Sequence, residues 1–130
     1  MSNPISPELR IGTLGELLVQ IRLLQFDVQS AAPLKDSGND LIAVKGTRFH
    51  TIQVKTTGGY GVPPWPNRKK IFSLLALVRL SGEGTNVYLD HSDVYLVPKP
   101  SLRGLSKSWE ALVPYQLTRE HVDTLFALLQ

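Results

Sequence analysis

The chain has 130 residues, 42% hydrophobic and 19% charged, which is the composition of one ordinary globular domain and not of a disordered chain. It contains no cysteine, so a disulfide framework, a thiolate zinc site and a cysteine nucleophile are all excluded. The 14 Lys and Arg against 11 Asp and Glu give a net charge of +3, which is compatible with an anionic partner but is only a weak indication of one.

Neither a membrane span nor a signal peptide is predicted. The longest apolar runs are far shorter than the ~20 residues that cross a bilayer. The first residues, MSNPISPELR, lack the apolar stretch of a signal peptide. We therefore expect a single domain over residues 1–130, located in the cytoplasm and without a membrane partner.

The first predicted element is a helix over residues 7–25. Ser6 is a favourable N-cap, Pro7 suits the first helical position, and Glu8 places an acid in the first turn. Apolar residues then recur at helical spacing, at Leu14, Leu17, Leu18, Ile21 and Leu24. A second face of the same helix carries Gly12, Glu16, Val19 and Leu23. Glu16 is thus an acid among small and apolar neighbours, unlike the acids of a solvated face.

Strand-like runs follow at residues 26–32, 40–44 and 48–57. Gly46-Thr47 fits a type II′ hairpin turn between the last two of them. If Lys45 pairs with Arg48, Asp40 falls opposite Gln53.

Side chains alternate along a strand, so Gln53 and Lys55 share one face while Ile52 and Val54 share the other. The hairpin pattern therefore predicts that the side chains of Asp40, Gln53 and Lys55 project from the same side of the two strands, at the end of the hairpin away from the turn.

The remaining elements are less sharply marked. Residues 58–70, GGYGVPPWPNRKK, are predicted to form a loop, and Gly82-Glu83-Gly84 a turn. The apolar run 71–80 favours a strand, although periodicity alone leaves a helix open. Further strands are expected at 93–97 and, in short form, at 86–89. A helical turn is expected at 109–112. Thr118 is a plausible N-cap for a last helix that carries Val122, Leu125, Phe126 and Leu129.

The run GNDLIAVKGTRFHTIQVK resembles the active-site hairpin of the PD-(D/E)XK nuclease superfamily, in which an Asp opens one strand and an acid-x-Lys triplet lies on the next. Asp40 and Gln53-Val54-Lys55 stand in those places. Glu16, in GTLGELLVQ, matches the acid that the family commonly carries on the preceding helix. The resemblance covers roughly residues 8–57 and is closest to the small homing-endonuclease and Holliday-junction-resolvase members.

The resemblance implies an α/β fold with a restriction-endonuclease-like core, in which a mixed sheet is flanked by helices, with the first helix on one face and the C-terminal helix elsewhere. It also implies hydrolysis of DNA phosphodiester bonds with Mg²⁺ or Mn²⁺. Asp40 would be the principal metal ligand, with Gln53, the Val54 carbonyl and Glu16 as further ligands. Lys55 would position or help to deprotonate the attacking water, or stabilise the phosphorane.

Gln53 departs from the family pattern, because an amide oxygen can bind Mg²⁺ but contributes no charge. This departure favours a second hypothesis, a non-catalytic DNA-binding or assembly module on a nuclease-like scaffold. The presence of Glu16, Asp40 and Lys55 together favours the enzyme. A nuclease that cuts both strands usually needs two active sites, so a homodimer or larger homo-oligomer is expected.

The loop 58–70 offers candidate DNA contacts, which are Tyr60, Trp65, Arg68, Lys69 and Lys70. Aromatic residues interleaved with cations can stack a base or follow a phosphate backbone. The alternative is that Trp65 covers the core and the cations are solvated.

Overall fold

The computed structural model describes residues 5–34, 40–67, 69–83 and 86–129. The helices are α1 (Pro7–Gln25), α2 (Trp109–Leu112) and α3 (Arg119–Leu128). The strands are β1 (Gln29–Ala31), β2 (Leu41–Lys45), β3 (Arg48–Thr57), β4 (Leu74–Arg79), β5 (Gly82–Glu83), β6 (Asn86–Val87) and β7 (Asp93–Pro98). Over the described ranges, no helix is long and apolar enough to cross a membrane.

The five-stranded sheet has the order β1-β2-β3-β4-β7. Strands β3 and β4 run parallel, and every other neighbouring pair in this sheet is antiparallel. The predicted mixed α/β architecture is therefore confirmed, and the apolar run 71–80 contributes a strand.

The hairpin of β2 and β3 has the predicted register, with Lys45 opposite Arg48 and Leu41 opposite Ile52. Gly46 has a φ of 63°, which the first central position of a type II′ turn requires. The two-residue turn fixes the pairing of every residue along the hairpin.

Helix α1 begins as predicted, because the Ser6 hydroxyl accepts a hydrogen bond from the Leu9 N–H at 3.2 Å. Its buried side chains are Leu18, Val19 and Leu23, together with Gly15. The apolar stripe that marks the helix in the sequence is largely exposed, with Leu17 48%, Ile21 52% and Leu24 62% accessible.

The close approach of α1 to β3 explains this orientation. A Cβ built on Gly15 would overlap the hydroxyl of Thr56, so only glycine lets the two backbones come this near. The face of α1 that contains Gly15 and Val19 is therefore the one that meets the sheet.

Two apolar clusters cover the two faces of the sheet. The first joins α1 and α3 to one face and includes Leu23, Ile52 and Phe126. The second lies on the opposite face, where Leu75 and Leu77 pack with half-buried side chains of the loops and of α2, including Trp65 and Trp109. The expectation that the C-terminal helix packs away from the first helix is thus wrong. The loops already fill the other face, so α3 must share the face of α1.

Most of the smaller elements follow the sequence, although the short strand expected at 86–89 ends at Val87. Thr118 caps α3 by accepting from the His121 N–H at 3.1 Å, and α2 occupies the predicted helical turn. Gly82 and Glu83 do not form a turn but pair with β6 as the two-residue strand β5. The pairing leaves no room for a side chain at Gly82, which has a φ of 120° and would place a Cβ against the Asn86 backbone. Gly84 lies outside the described residues.

Candidate active site

Asp40 lies where β2 meets the middle of β3, and its carboxylate is held by hydrogen bonds from β3. The Asp40 N–H donates to the Ile52 carbonyl at 3.1 Å. Its Oδ2 accepts from the Gln53 side-chain Nε2 at 2.9 Å and from the Val54 N–H at 2.8 Å. The carboxylate is therefore fixed in place, and its Oδ1 accepts no bond from any described residue.

Gln53 is 5% exposed, and its two amide atoms differ in their surroundings. Nε2 donates to Asp40, whereas Oε1 is buried and has no partner within the described ranges. A buried oxygen without a partner costs about 1–3 kcal/mol. A cation or a further donor beside Oε1 would remove this cost.

The backbone of Val54 faces Asp40. The Thr51 and Thr57 carbonyls accept from N–H groups at Ser73 and Leu80, so the odd-numbered residues of β3 bond toward β4. Alternate residues of a strand direct their N–H and C=O to opposite sides. Val54 therefore directs both groups to the other side, beyond the end of β2, so its carbonyl points to the side on which its N–H donates to Asp40.

Glu16 reaches the same place from α1. Partial burial and, to a lesser extent, the nearby Asp40 charge raise the pKa of the Glu16 carboxyl above its usual value. Two carboxylates that repel each other in a half-enclosed space are stabilised by a cation between them. Glu16 and Asp40 therefore form an electrostatic unit, although they come from elements far apart in the chain.

Lys55 completes the cleft. It lies one step beyond Val54 on the face that it shares with Gln53, and it forms no ion pair in the described ranges. The cleft has a volume of about 470 Å³. We call it the acidic cleft and define it by Glu16, Asp40, Gln53, Val54 and Lys55.

The atoms of the acidic cleft that could bind a metal ion are all oxygens. No group of three or more His, Cys, Asp or Glu side chains that could hold a metal occurs in the described part of the chain. Two carboxylates, one amide oxygen and one carbonyl are hard ligands of the kind that Mg²⁺ takes while it keeps several waters. The unpartnered Oε1 of Gln53 fits such an ion.

The five loop candidates do not lie together. Tyr60 is 93% exposed and lines a groove that adjoins the acidic cleft at Gly58. Trp65 instead packs half-buried on the second apolar cluster and does not line the cleft. Lys69 and Lys70 are exposed, and Arg68 lies outside the described residues.

Trp65 and Phe72 line a separate pocket with a volume of about 510 Å³. Lys99, Arg103 and Lys107 also line it, and we call this site the basic pocket. These three cations are not among the candidate residues that the sequence offers. They are spread over nine positions in a segment without a recognisable motif, so no signal in the sequence singles them out.

Comparisons with known proteins identify a fold but no family. No protein-family model matches the chain, and no curated protein matches it. The structure is similar to a solved structure of a bacterial homing endonuclease, I-Ssp6803I, with a TM-score of 0.54 and 20% sequence identity. The similarity covers 78% of this chain and 72% of that one. The chain has a homing-endonuclease-like fold.

Proposed function

We propose that this protein is a divalent-metal-dependent DNA endonuclease that hydrolyses phosphodiester bonds. In this proposal residues 1–130 form one domain of the PD-(D/E)XK type, and Gln53 takes the place of the second acid. The observation that carries the proposal is the convergence of Glu16, Asp40, the unpartnered Gln53 Oε1 and Lys55 in one cleft. The homing-endonuclease-like fold supports it.

Mg²⁺ or Mn²⁺ would be held by Asp40, the Gln53 Oε1 and the Val54 carbonyl, with Glu16 binding directly or through a water. A bound divalent ion lowers the pKa of a coordinated water and neutralises charge on the phosphate. The hydrogen bonds that Asp40 accepts from Gln53 and Val54 orient its carboxylate before any ligand binds.

The two charged residues that flank Asp40 have different roles in hydrolysis. Lys55 donates hydrogen bonds to the phosphate oxygens as they gain negative charge, or positions the attacking water. Its ammonium group is available for this work because no described carboxylate pairs with it. Glu16, whose pKa is raised, accepts a hydrogen bond from water near the phosphate.

A cleavage assay with Asp40→Asn tests the enzyme proposal. The substitution keeps the side-chain shape and removes the charge, so we expect Mg²⁺-dependent cleavage of plasmid DNA to be lost while the circular dichroism spectrum is retained. Asp123→Asn is the matched control, because Asp123 is an exposed residue of α3 outside the cleft. Full activity in Asp40→Asn would contradict the site.

The non-catalytic DNA-binding module remains a second candidate, favoured by the hydrogen bonds that already satisfy Asp40 Oδ2. Ca²⁺ separates the two. In the enzyme, Asp40 repels the scissile phosphate until a cation screens it, so Ca²⁺ should tighten DNA binding at constant ionic strength, and Asp40→Asn should abolish this gain. A module that reads only the backbone should lose affinity when Ca²⁺ competes.

We also propose that the active form is a homodimer or a larger homo-oligomer, since cutting two strands requires two sites. The exposed Leu17, Ile21 and Leu24 stripe of α1 is a suitable apolar contact. Analytical ultracentrifugation should find an assembly that Ile21→Glu dissociates. A monomer at micromolar concentration would contradict the proposed oligomer but not the proposed endonuclease activity.

A further inference from the structure

We propose that the basic pocket holds an unpaired nucleobase of the DNA substrate, with the adjoining phosphates on its cations. This inference rests on the proposed function, because it concerns the substrate of the same protein. It adds that the substrate contains unpaired nucleotides near the scissile bond.

The walls of the pocket suit a flat apolar ring. Trp65 and Phe72 line it together with Pro66, Pro100 and Leu102. Its volume of about 510 Å³ lies within the ~300–1,000 Å³ of small-molecule sites. Aromatic walls bind bases of any sequence, because every base has a stacking face.

The charge of the pocket suits a nucleic acid. No acidic residue lines it, and Lys99, Arg103 and Lys107 pair with no carboxylate in the described ranges. Lys99 Nζ lies 4.6 Å from the centre of the Phe72 ring, and Lys107 Nζ 5.6 Å from that of Trp65. Lys99 Nζ also donates to the Lys70 carbonyl. The two lysines thus lie beside the rings of the pocket, where they can meet the phosphates of a strand whose base enters it. A ligand that offers a ring and anionic groups together satisfies both features.

The position of the pocket relative to the acidic cleft also supports the inference. Gln53 and Lys55 pair with Leu75 and Leu77, so their side chains project from the sheet face that the pocket covers. The Ser73 N–H donates to the Thr51 carbonyl. Phe72 directly precedes Ser73, so it lies close to Thr51 along the strand direction. The four steps along β3 from Thr51 to Lys55 span about 13 Å at ~3.3 Å per residue. This is about four nucleotides at the ~3.4 Å rise of one DNA strand.

Two labelled DNAs test the inference without divalent metal, so that catalysis plays no part. One is a fully paired duplex, and the other is the same duplex with a four-nucleotide single-stranded gap. Stacking of one base is expected to make the protein bind the gapped DNA about tenfold more tightly. Trp65→Ala should abolish that preference, Trp65→Phe should restore part of it, and Trp109→Phe, which changes the other tryptophan, should retain it.

Charge variants keep the inference testable if Trp65→Ala does not fold, because Arg103 and Lys107 are exposed. Each of Arg103→Met and Lys107→Met should reduce the salt dependence of binding to the gapped DNA by about 0.7 in log–log slope. Equal affinity for the two DNAs in the parent protein, or a preference that survives Trp65→Ala, would overturn the inference. A preference for gapped DNA without metal-dependent cleavage would instead support the pocket and reject the endonuclease.

Discussion

The acidic cleft and the basic pocket lie on one sheet but are built in opposite ways. In the cleft, burial and, to a lesser extent, the charge of Asp40 raise the pKa of Glu16, and the Gln53 amide oxygen has no partner among the described residues. The pocket gathers three cations that no described carboxylate neutralises. Each site therefore carries an unbalanced charge in the protein alone. Under the proposed function, a metal-bound DNA strand would bring a cation to the cleft and phosphates to the pocket.

Replacing Lys55 should produce the largest effect. Lys55→Met removes the one cation of the acidic cleft, and loss of a single donor to a developing negative charge typically slows a reaction about 10²–10³-fold. We expect cleavage to fall by that amount in a protein with unchanged thermal stability. Lys45→Met, at the turn end of the same hairpin, is the matched control and should retain activity within about threefold. Equal losses in the two variants would show that lysines of this hairpin act through general attraction to DNA.

The close contact between Gly15 of α1 and Thr56 of β3 should be highly sensitive to side-chain size. Gly15→Ala places a Cβ against Thr56 and should destabilise the fold by about 1–3 kcal/mol in chemical denaturation. The alanine side chain of Gly12→Ala would enter open space. This substitution should stabilise the fold by about 0.5–1 kcal/mol, because alanine loses less conformational entropy than glycine when the helix forms. Adding Thr56→Ala to Gly15→Ala should recover part of the loss. If Gly15→Ala were as stable as Gly12→Ala, the close approach of α1 and β3 would be wrong.

Adding charge to the acidic cleft should strengthen metal binding at the expense of the metal-free fold. Gln53→Glu replaces the donor to Asp40 by a second carboxylate, so the melting temperature without metal should fall. One more charge about 4 Å from an ion is worth at least about 1 kcal/mol, so Mn²⁺ should bind at least about fivefold more tightly by calorimetry. Unchanged Mn²⁺ affinity would indicate that residue 53 does not reach the ion.

The smallest effect concerns His50, a titratable group that lines neither the acidic cleft nor the basic pocket. His50 is 5% exposed, its Nε2 has no partner among the described residues, and its ring meets the Phe126 edge. Burial, and then the Arg48 charge, lower the pKa of His50 below 6.5. The unfolded chain therefore takes up this proton first as the pH falls, so stability should decrease below about pH 6.5 with a slope of at most ~1.4 kcal/mol per pH unit.

Unfolding experiments between pH 7 and 5 check this sign. His50→Gln should flatten the slope, whereas His91→Gln, at an exposed histidine, should leave it unchanged. Stability that rises as the pH falls through this range would contradict the assignment.

Much of the acidic cleft could be predicted because four of its five defining residues, Asp40, Gln53, Val54 and Lys55, lie on or next to one hairpin. The two-residue turn at Gly46-Thr47 fixes the register of β2 and β3, and the register fixes that Asp40 meets Gln53. The helix caps at Ser6 and Thr118 are equally local, since each hydroxyl reaches an N–H three residues along the chain. The hairpin register and the helix caps depend on interactions among only a few neighbouring residues, so the sequence alone predicts them.

By itself, then, the sequence determined the caps, the hairpin register, most of the strands and the set of residues at the hairpin end. Only the tertiary structure decided which face of α1 is buried, because the overlap at Gly15 depends on Thr56, which lies on another element. It also decided that α3 shares a sheet face with α1, and that Trp65 lines one pocket with Lys99 and Lys107. Periodicity tells which residues of one element lie side by side. It does not tell which surface the rest of the chain leaves open for that element to pack against.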